Sequence, residues 1–193
     1  LGLGVFDSTL LEMTGAYAGI LNGGSSVKPY GLVSLQLQGE DAELIGQDGG
    51  IGERVIQTEA AQQLIYMLTQ VVESGTGGRA RLGDRPVAGK TGTTNGARDA
   101  WFIGFSANYV VGVWMGYDDN RQLQGVTGAG LPAEIWHEAM VRIEQGEPIS
   151  PLPARTPAPP VSLPRVVSAP VQGAQEAVRT VVQNVLNGLF GRN

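Results

Sequence analysis

The pattern of apolar and polar positions predicts three helices separated by strands. The first helix follows a capping box at Thr9 and Glu12, whose hydroxyl and carboxylate satisfy exposed backbone N–H groups. The second begins with Thr58 as its N-cap and ends in the glycine-rich stretch 75–78, and the third carries Pro132 in its first turn. The second helix has an apolar stripe at helical spacing: Ala61, Leu64, Ile65, Leu68, Val71 and Val72.

Between the helices, apolar residues alternate with the period of two that is typical of strands. The predicted strands are residues 30–38, 42–45, 86–94, 100–106 and 109–117. The turns at 39–41 and at Ala107-Asn108 join neighbouring strands into hairpins. The strands over 100–106 and 109–117 are apolar on both faces, including Trp101 and Trp114, so we expect a sheet that is covered on both sides. The pattern predicts an α+β fold in which an antiparallel sheet is flanked by helices.

Composition divides the chain into three parts. Its 193 residues, of which 42% are hydrophobic and 16% charged, support one ordinary core or one domain with a tail. Eight of the eleven prolines lie between Pro148 and Pro170, which predicts a proline-rich linker over 147–172 after a domain over 1–146. Residues 173–193 carry an apolar stripe and are predicted as an amphipathic helix, which docks on the protein itself, on a partner protein or on a membrane surface.

Charge and residue counts exclude several functions. A net charge of −5 argues against nucleic-acid binding, and the chain has no cysteine and a single histidine, His137, which we expect to be a surface or packing residue. Asp118-Asp119-Asn120 closes a strand, which favours a turn over a metal site. No metal and no cofactor is therefore predicted. The chain opens on Leu1 without an initiator methionine, so we expect it to be part of a larger protein.

The chemistry concentrates in one strand, which reads Val-Ala-Gly-Lys-Thr-Gly-Thr-Thr over 87–94 and ends in a turn at Asn95-Gly96. Small residues let a ligand lie against the backbone, and Lys90 with the hydroxyls suits an anion, either a carboxylate or a phosphate. A nucleotide-binding phosphate loop requires glycine where Asp84 stands, and a helix instead of a turn after the lysine. Both departures disfavour phosphate.

Lys90-Thr91-Gly92 matches the third part of the signature shared by serine β-lactamases and penicillin-binding proteins. Further segments with these flanks follow in order along the chain. They are residues 11–13, 17–18, 22–24, 75–77, 88–95, 99–105 and 113–120. Over residues 1–143, the chain resembles the class A penicillin-binding proteins, which are bifunctional cell-wall synthases.

The resemblance implies a penicillin-binding protein or serine β-lactamase-like fold, incomplete at its N-terminus, in which residues 1–146 are the C-terminal part of a D,D-transpeptidase domain. The implied enzyme cross-links peptidoglycan stem peptides ending in D-Ala-D-Ala through a serine acyl-enzyme, and β-lactams trap that serine. It also implies a membrane anchor and a glycosyltransferase domain upstream, on the periplasmic side of the bacterial inner membrane. The tail is then a candidate contact for other cell-wall synthesis proteins.

The resemblance assigns roles to residues of the lysine strand. Lys90 and Thr93 are catalytic: Lys90 adds positive charge near the nucleophile, and the Thr93 backbone N–H is one of two oxyanion donors, a role worth about 3–4 kcal/mol. Thr91, Gly92, Thr93 and Thr94 bind the substrate. Thr91 and Thr93 are two apart on one strand, so both hydroxyls face the donor carboxylate, while Gly92 keeps the strand surface open.

The nucleophile is the missing half of this site. Ser25 and Lys28 spell serine-x-x-lysine, but glycines precede them and Pro29 follows, which predicts a loop instead of the required helix. Ser106-Ala107-Asn108 spells serine-x-asparagine but lies in a hairpin after the lysine strand. We therefore expect both to be non-catalytic, the nucleophile to lie upstream of Leu1, and the isolated chain to be inactive. The alternative is a binding module that keeps the carboxylate site and does no chemistry.

Overall fold

The computed structural model describes residues 7–39, 43–46 and 50–156. Within these residues the chain forms three α-helices, one short 3₁₀ helix and seven strands. The helices are α1 (Leu10–Leu21), α2 (Thr58–Glu73) and α3 (Leu131–Ile143), with the 3₁₀ helix at Gly78–Ala80. The strands are β1 (Ser25–Val27), β2 (Ser34–Gln36), β3 (Glu43–Gly46), β4 (Ile51–Arg54), β5 (Ala88–Thr93), β6 (Ala100–Phe105) and β7 (Val110–Met115).

The main sheet is antiparallel in the order β5-β6-β7, so the lysine strand β5 is paired on one side by β6. The three predicted strands are confirmed with shorter ends. Strand β6 is almost entirely buried, whereas β7 is largely half-buried. The expected cover on both faces therefore holds for β6 and is wrong for β7: Trp114 is 39% exposed, whereas a core position was predicted.

Two clusters of buried apolar side chains pack on the sheet. One joins Phe102 and Val87 to Trp136 and Met140 of α3, and the Phe102 and Trp136 rings meet edge to face with centroids 5.3 Å apart. The Trp136 indole N–H also donates to backbone carbonyls of β6 and β7, which fixes α3 on the sheet. The second cluster contains Ile65 of α2, Ala88 and Phe105, with residues of α1 packed against it. Helices thus flank the sheet, as the sequence predicts.

Helix ends follow local sequence closely. The capping box is confirmed, since the Glu12 N–H donates to Thr9 Oγ1 at 3.2 Å and the Thr9 N–H donates to Glu12 Oε2 at 2.8 Å. Proline in the first turn of α3 is also confirmed. The N-cap of α2 is Gln57, one residue before the predicted Thr58. Thr58 instead lies in the first turn, where its hydroxyl accepts a hydrogen bond from Arg54.

Two small antiparallel pairs lie between α1 and α2. The predicted hairpin is confirmed as β2 paired with β3, although β2 is much shorter than 30–38. The loop predicted at 25–28 is wrong in its first part: residues 25–27 form β1, which pairs with β4 through Ser25 opposite Arg54. Large apolar side chains on and beside these strands are exposed, among them Leu37 at 56% and Ile51 at 71%.

Beyond α3 the chain runs without regular structure to residue 156. Leu152 packs against the cluster that contains Ile65, and the Arg155 N–H donates to the Gln62 carbonyl at 3.0 Å. The first ten residues of the predicted linker therefore contact α2. The rest of the linker and the predicted helix over 173–193 lie outside the described residues. Within the described residues, no helix combines the length and apolar character needed to cross a membrane.

Candidate active site

Strand β5 carries Lys90, Thr91, Gly92 and Thr93 in consecutive positions. Because side chains alternate along a strand, Thr91 and Thr93 share one face and Lys90 lies on the other. Lys90 is exposed, and its Nζ donates to the Thr91 carbonyl at 2.7 Å. The strand therefore presents two hydroxyls on one face and a cation folded back over its backbone.

Each of the two hydroxyls contacts a different loop. Thr91 Oγ1 lies 2.8 Å from Oγ1 of Thr76, in the loop after α2, and either oxygen can donate. Thr93 Oγ1 accepts a hydrogen bond from the Gly128 backbone N–H at 3.0 Å. The sequence quoted the glycine-threonine-glycine stretch around Thr76 only as part of the resemblance and did not single out Gly128.

Gly92 lies at a crowded position of the strand. A Cβ atom built on Gly92 would stand 3.2 Å from the Cβ of Trp101, and one built on Gly128 would stand 2.5 Å from the Gly92 carbonyl oxygen. The segment that contains Gly128 thus lies directly against the strand backbone. The close approach of backbone that the small residues predict is present at Gly92, and here it brings in another part of the chain.

Thr94 differs from the two threonines before it, because it lies in the turn that follows β5. Its hydroxyl donates to Asp99 Oδ2 at 3.1 Å and accepts from the Asp99 N–H at 2.9 Å. The predicted substrate contact of Thr94 remains a prediction, since this hydroxyl is already engaged within the turn. The predicted turn itself is confirmed, with Gly96 at φ 75° and the next element a strand. A phosphate loop would need a helix there.

The two serine motifs stand where their local sequence indicates. Ser25 is on β1 and Lys28 follows that strand, so neither is on a helix. Ser106 is fully buried, and its Oγ accepts hydrogen bonds from the N–H groups of Asn108 and Tyr109, both at 3.2 Å. Ser106 therefore shapes the hairpin between β6 and β7.

Two cavities lie beside these elements. The larger, of about 710 Å³, is lined by the loop around Thr76 and by the segment 125–131 that contains Thr127. Arg79 and Glu134 form an ion pair at its wall. The smaller, of about 260 Å³, lies against α3, where half-buried His137 is one of its lining residues. The Asp-Asp-Asn stretch forms a turn in which the Asn120 N–H donates to the Tyr117 carbonyl.

Comparison with known proteins places the chain in a family. Residues 1–140 match the family model described as the penicillin binding protein transpeptidase domain. Penicillin-binding protein 1A of Aquifex aeolicus is 38% identical over 141 residues, which are 72% of this chain and 19% of that protein. The chain thus spans about a fifth of the length of the curated relatives it matches.

Solved structures agree with this match. The crystal structure of penicillin-binding protein 1A from Haemophilus influenzae is 28% identical with a TM-score of 0.63, covering 80% of this chain and 28% of that one. PonA1 from Mycobacterium tuberculosis has a TM-score of 0.71 at 23% identity, covering 86% and 48%, and shows the shared fold. The predicted α+β class and the resemblance to class A penicillin-binding proteins are confirmed, and this chain belongs to the penicillin-binding protein transpeptidase domain family.

Proposed function

We propose that this chain forms the carboxylate-binding half of a peptidoglycan D,D-transpeptidase active site. The observation that carries the proposal is the face of β5 on which Thr91 and Thr93 hold two hydroxyls side by side, each oriented by a neighbouring loop. A carboxylate accepts hydrogen bonds from two such donors, and charge-assisted bonds are stronger than neutral ones. The family match supplies the substrate class, a stem peptide that ends in D-Ala-D-Ala.

In the proposed reaction a serine hydroxyl attacks the carbonyl between the two terminal D-alanines. The carbon becomes tetrahedral, its oxygen carries negative charge, and the amide bond then breaks so that D-alanine leaves with the proton on its nitrogen. The amine of a second stem peptide attacks the ester, forms the new amide bond and releases the serine. The Thr93 backbone N–H stabilises the oxyanion, and Lys90 favours the anionic species through its positive charge.

The serine is proposed to lie on a segment outside these 193 residues. The sequence contains one serine-x-x-lysine, beginning at Ser25, and this serine lies on strand β1. A nucleophile and its lysine one helical turn apart face each other on a helix, which a strand does not provide. The upstream glycosyltransferase domain, the membrane anchor, the periplasmic location and contacts of the tail with cell-wall synthesis partners belong to the same proposal.

Covalent labelling by a fluorescent penicillin tests the proposal. A β-lactam is the natural probe, since PonA1 from Mycobacterium tuberculosis has been solved in complex with penicillin V. We expect the full-length protein that carries this chain to be labelled, and the 193-residue chain alone to remain unlabelled. Labelling of the isolated chain that is lost in Ser25→Ala would make Ser25 the nucleophile. A full-length protein that binds penicillin reversibly without acylation would support the non-catalytic binding module instead.

A further inference from the structure

The hydroxyls of Thr91 and Thr93 are supported from two places that are far apart in the sequence. Thr76 lies in the loop between α2 and the 3₁₀ helix, and Gly128 lies in the segment before α3. Both segments line the cavity of about 710 Å³ beside the strand. The two contacts therefore belong to one wall.

The Gly128 contact fixes the direction of a proton. A backbone N–H can only donate, so the Thr93 oxygen is the acceptor in this bond. A hydroxyl that accepts such a bond keeps its own proton free for another partner. The Thr93 O–H can then point toward an anion at the strand instead of turning back to its own protein.

Close packing holds Gly128 in this place. A Cβ atom there would stand 2.3 Å from the carbonyl oxygen of Trp101 and 2.5 Å from that of Gly92. A side chain of any size would push the segment away from the strand and lengthen the bond to Thr93. Only glycine allows the N–H to approach this closely.

The loop that carries Thr76 is packed with similar tightness. The Gly77 N–H donates to the carbonyl of Val71 at 2.8 Å, which ties the loop to the end of α2. A Cβ atom on Gly75 would stand 2.9 Å from the same carbonyl oxygen, and one on Gly77 would stand 3.1 Å from it. Thr76 is thereby held between two glycines and within 2.8 Å of the Thr91 hydroxyl.

We propose that Thr76 and Gly128 are positioning residues, which direct the hydroxyl protons of Thr91 and Thr93 toward the carboxylate of the substrate. Thr76 donates to Thr91, Gly128 donates to Thr93, and the strand is thereby set as a pair of donors before the ligand arrives. This inference rests on the proposed function. It adds two residues that do not touch the reacting atoms and act through the threonines that do.

The test compares benzylpenicillin with its methyl ester in the full-length protein, because the ester lacks the anion that the two hydroxyls bind. The second-order acylation constant is measured for both compounds, and their ratio gives the preference for the free carboxylate. We expect Thr76→Val, which keeps the side-chain volume, to lower the constant for benzylpenicillin by roughly tenfold and to leave that for the ester within about twofold. Thr76→Ser should restore the preference.

Thr69→Val is the matched control, since it also removes a threonine hydroxyl, one that donates to the Tyr66 carbonyl at 2.7 Å within α2. We expect it to leave the preference unchanged. Gly128→Ala should lower the preference as Thr76→Val does, and Gly78→Ala should not, because a Cβ on Gly78 has its nearest neighbour at 3.9 Å.

The outcomes separate this inference from the function on which it rests. A wild-type protein without acylation, or without preference for the free carboxylate, would overturn the proposed function itself. A wild-type protein that shows the preference, combined with a Thr76→Val variant that keeps it in full, would overturn only the positioning role of Thr76. If Thr76→Val lowers acylation by both compounds equally, its contribution is structural and the inference is again wrong.

Discussion

Asp99 and Thr94 bind each other through two hydrogen bonds across the turn that ends the lysine strand. One runs from the Thr94 hydroxyl to Asp99 Oδ2 and the other from the Asp99 N–H to the Thr94 hydroxyl. The second carboxylate oxygen of Asp99 accepts from the indole N–H of Trp114 at 3.0 Å. A single carboxylate thus joins the turn to β7 and fixes the end of β5.

Replacing Asp99 tests this connection. We expect Asp99→Ala to lower the free energy of unfolding by about 1–2 kcal/mol, because it removes hydrogen bonds to a charged group at a partly exposed position. Trp114→Phe removes only the indole bond and should cost less. In the double variant the two losses should add to less than their sum. Chemical denaturation of the full-length protein measures all three, and strict additivity would show that the carboxylate and the indole do not interact.

Lys90→Ala should abolish acylation by penicillin without affecting the fold. The Lys90 side chain is exposed and its hydrogen bond goes to the neighbouring carbonyl, so little packing is lost. The expected loss is on the order of a hundredfold or more, because a cation beside developing negative charge stabilises the transition state. Lys90→Arg, which keeps the charge, serves as the comparison.

Stopped-flow acylation gives the rate for each Lys90 variant, and thermal unfolding shows whether the fold is intact. A folded Lys90→Ala variant that is acylated at nearly the normal rate would contradict the role assigned to this lysine.

Arg85 and Glu144 form a nearly buried ion pair, with Nη1 and Oε2 3.0 Å apart and side chains 10% and 4% exposed. The hydrogen bonds of Arg85 go to the carbonyls of Glu144, Glu147 and Pro148, so the guanidinium also caps the end of α3. The carboxylate contact is therefore mainly electrostatic: within the described residues neither Glu144 oxygen has a partner in hydrogen-bond geometry.

We expect Arg85→Met to lower the free energy of unfolding by about 3–5 kcal/mol, since it leaves a buried carboxylate without its counter-charge. The double variant Arg85→Met with Glu144→Leu should recover part of that loss, because no uncompensated charge remains. Urea unfolding of the two variants measures the difference. If the double variant is no more stable than Arg85→Met, the charge of Glu144 is not the source of the loss.

The capping box of α1 gives a pH dependence. The Thr9 backbone N–H, followed by the Thr9 hydroxyl, lowers the pKa of Glu12 below its ordinary value. The ionised form is favoured by folding, so this contribution is complete above the pKa of the unfolded carboxyl and is lost as pH falls through the lower folded value. Glu12→Gln, which can still form a capping box, should remove this part of the pH dependence.

Titration of Glu12 by NMR checks the cause. In Thr9→Ala the pKa should rise toward its ordinary value only in part, because the backbone N–H, the larger of the two contributions, remains. A pKa that does not change in Thr9→Ala would exclude the hydroxyl as a cause.

Local sequence was sufficient for much of the fold. The capping box places α1, the stripe at helical spacing places α2, and alternation with an asparagine-glycine turn places β5 and its hairpin partners. Strands β1 and β4 were missed because they are only three and four residues long and mostly polar, and they become strands by pairing across an intervening hairpin. No local alternation marks such a pair.

The sequence alone determined the order of elements, the strand that carries Lys90 and its threonines, and the family to which that strand points. These depend on residues within a few positions of one another. The tertiary structure decided that Trp114 is partly exposed and that the Thr94 hydroxyl is engaged by Asp99. It also decided that Thr76 and Gly128 meet Thr91 and Thr93, and each of these pairings depends on which distant segments fold against the strand. Contacts across 15 and 35 residues of chain arise from packing and carry no local pattern.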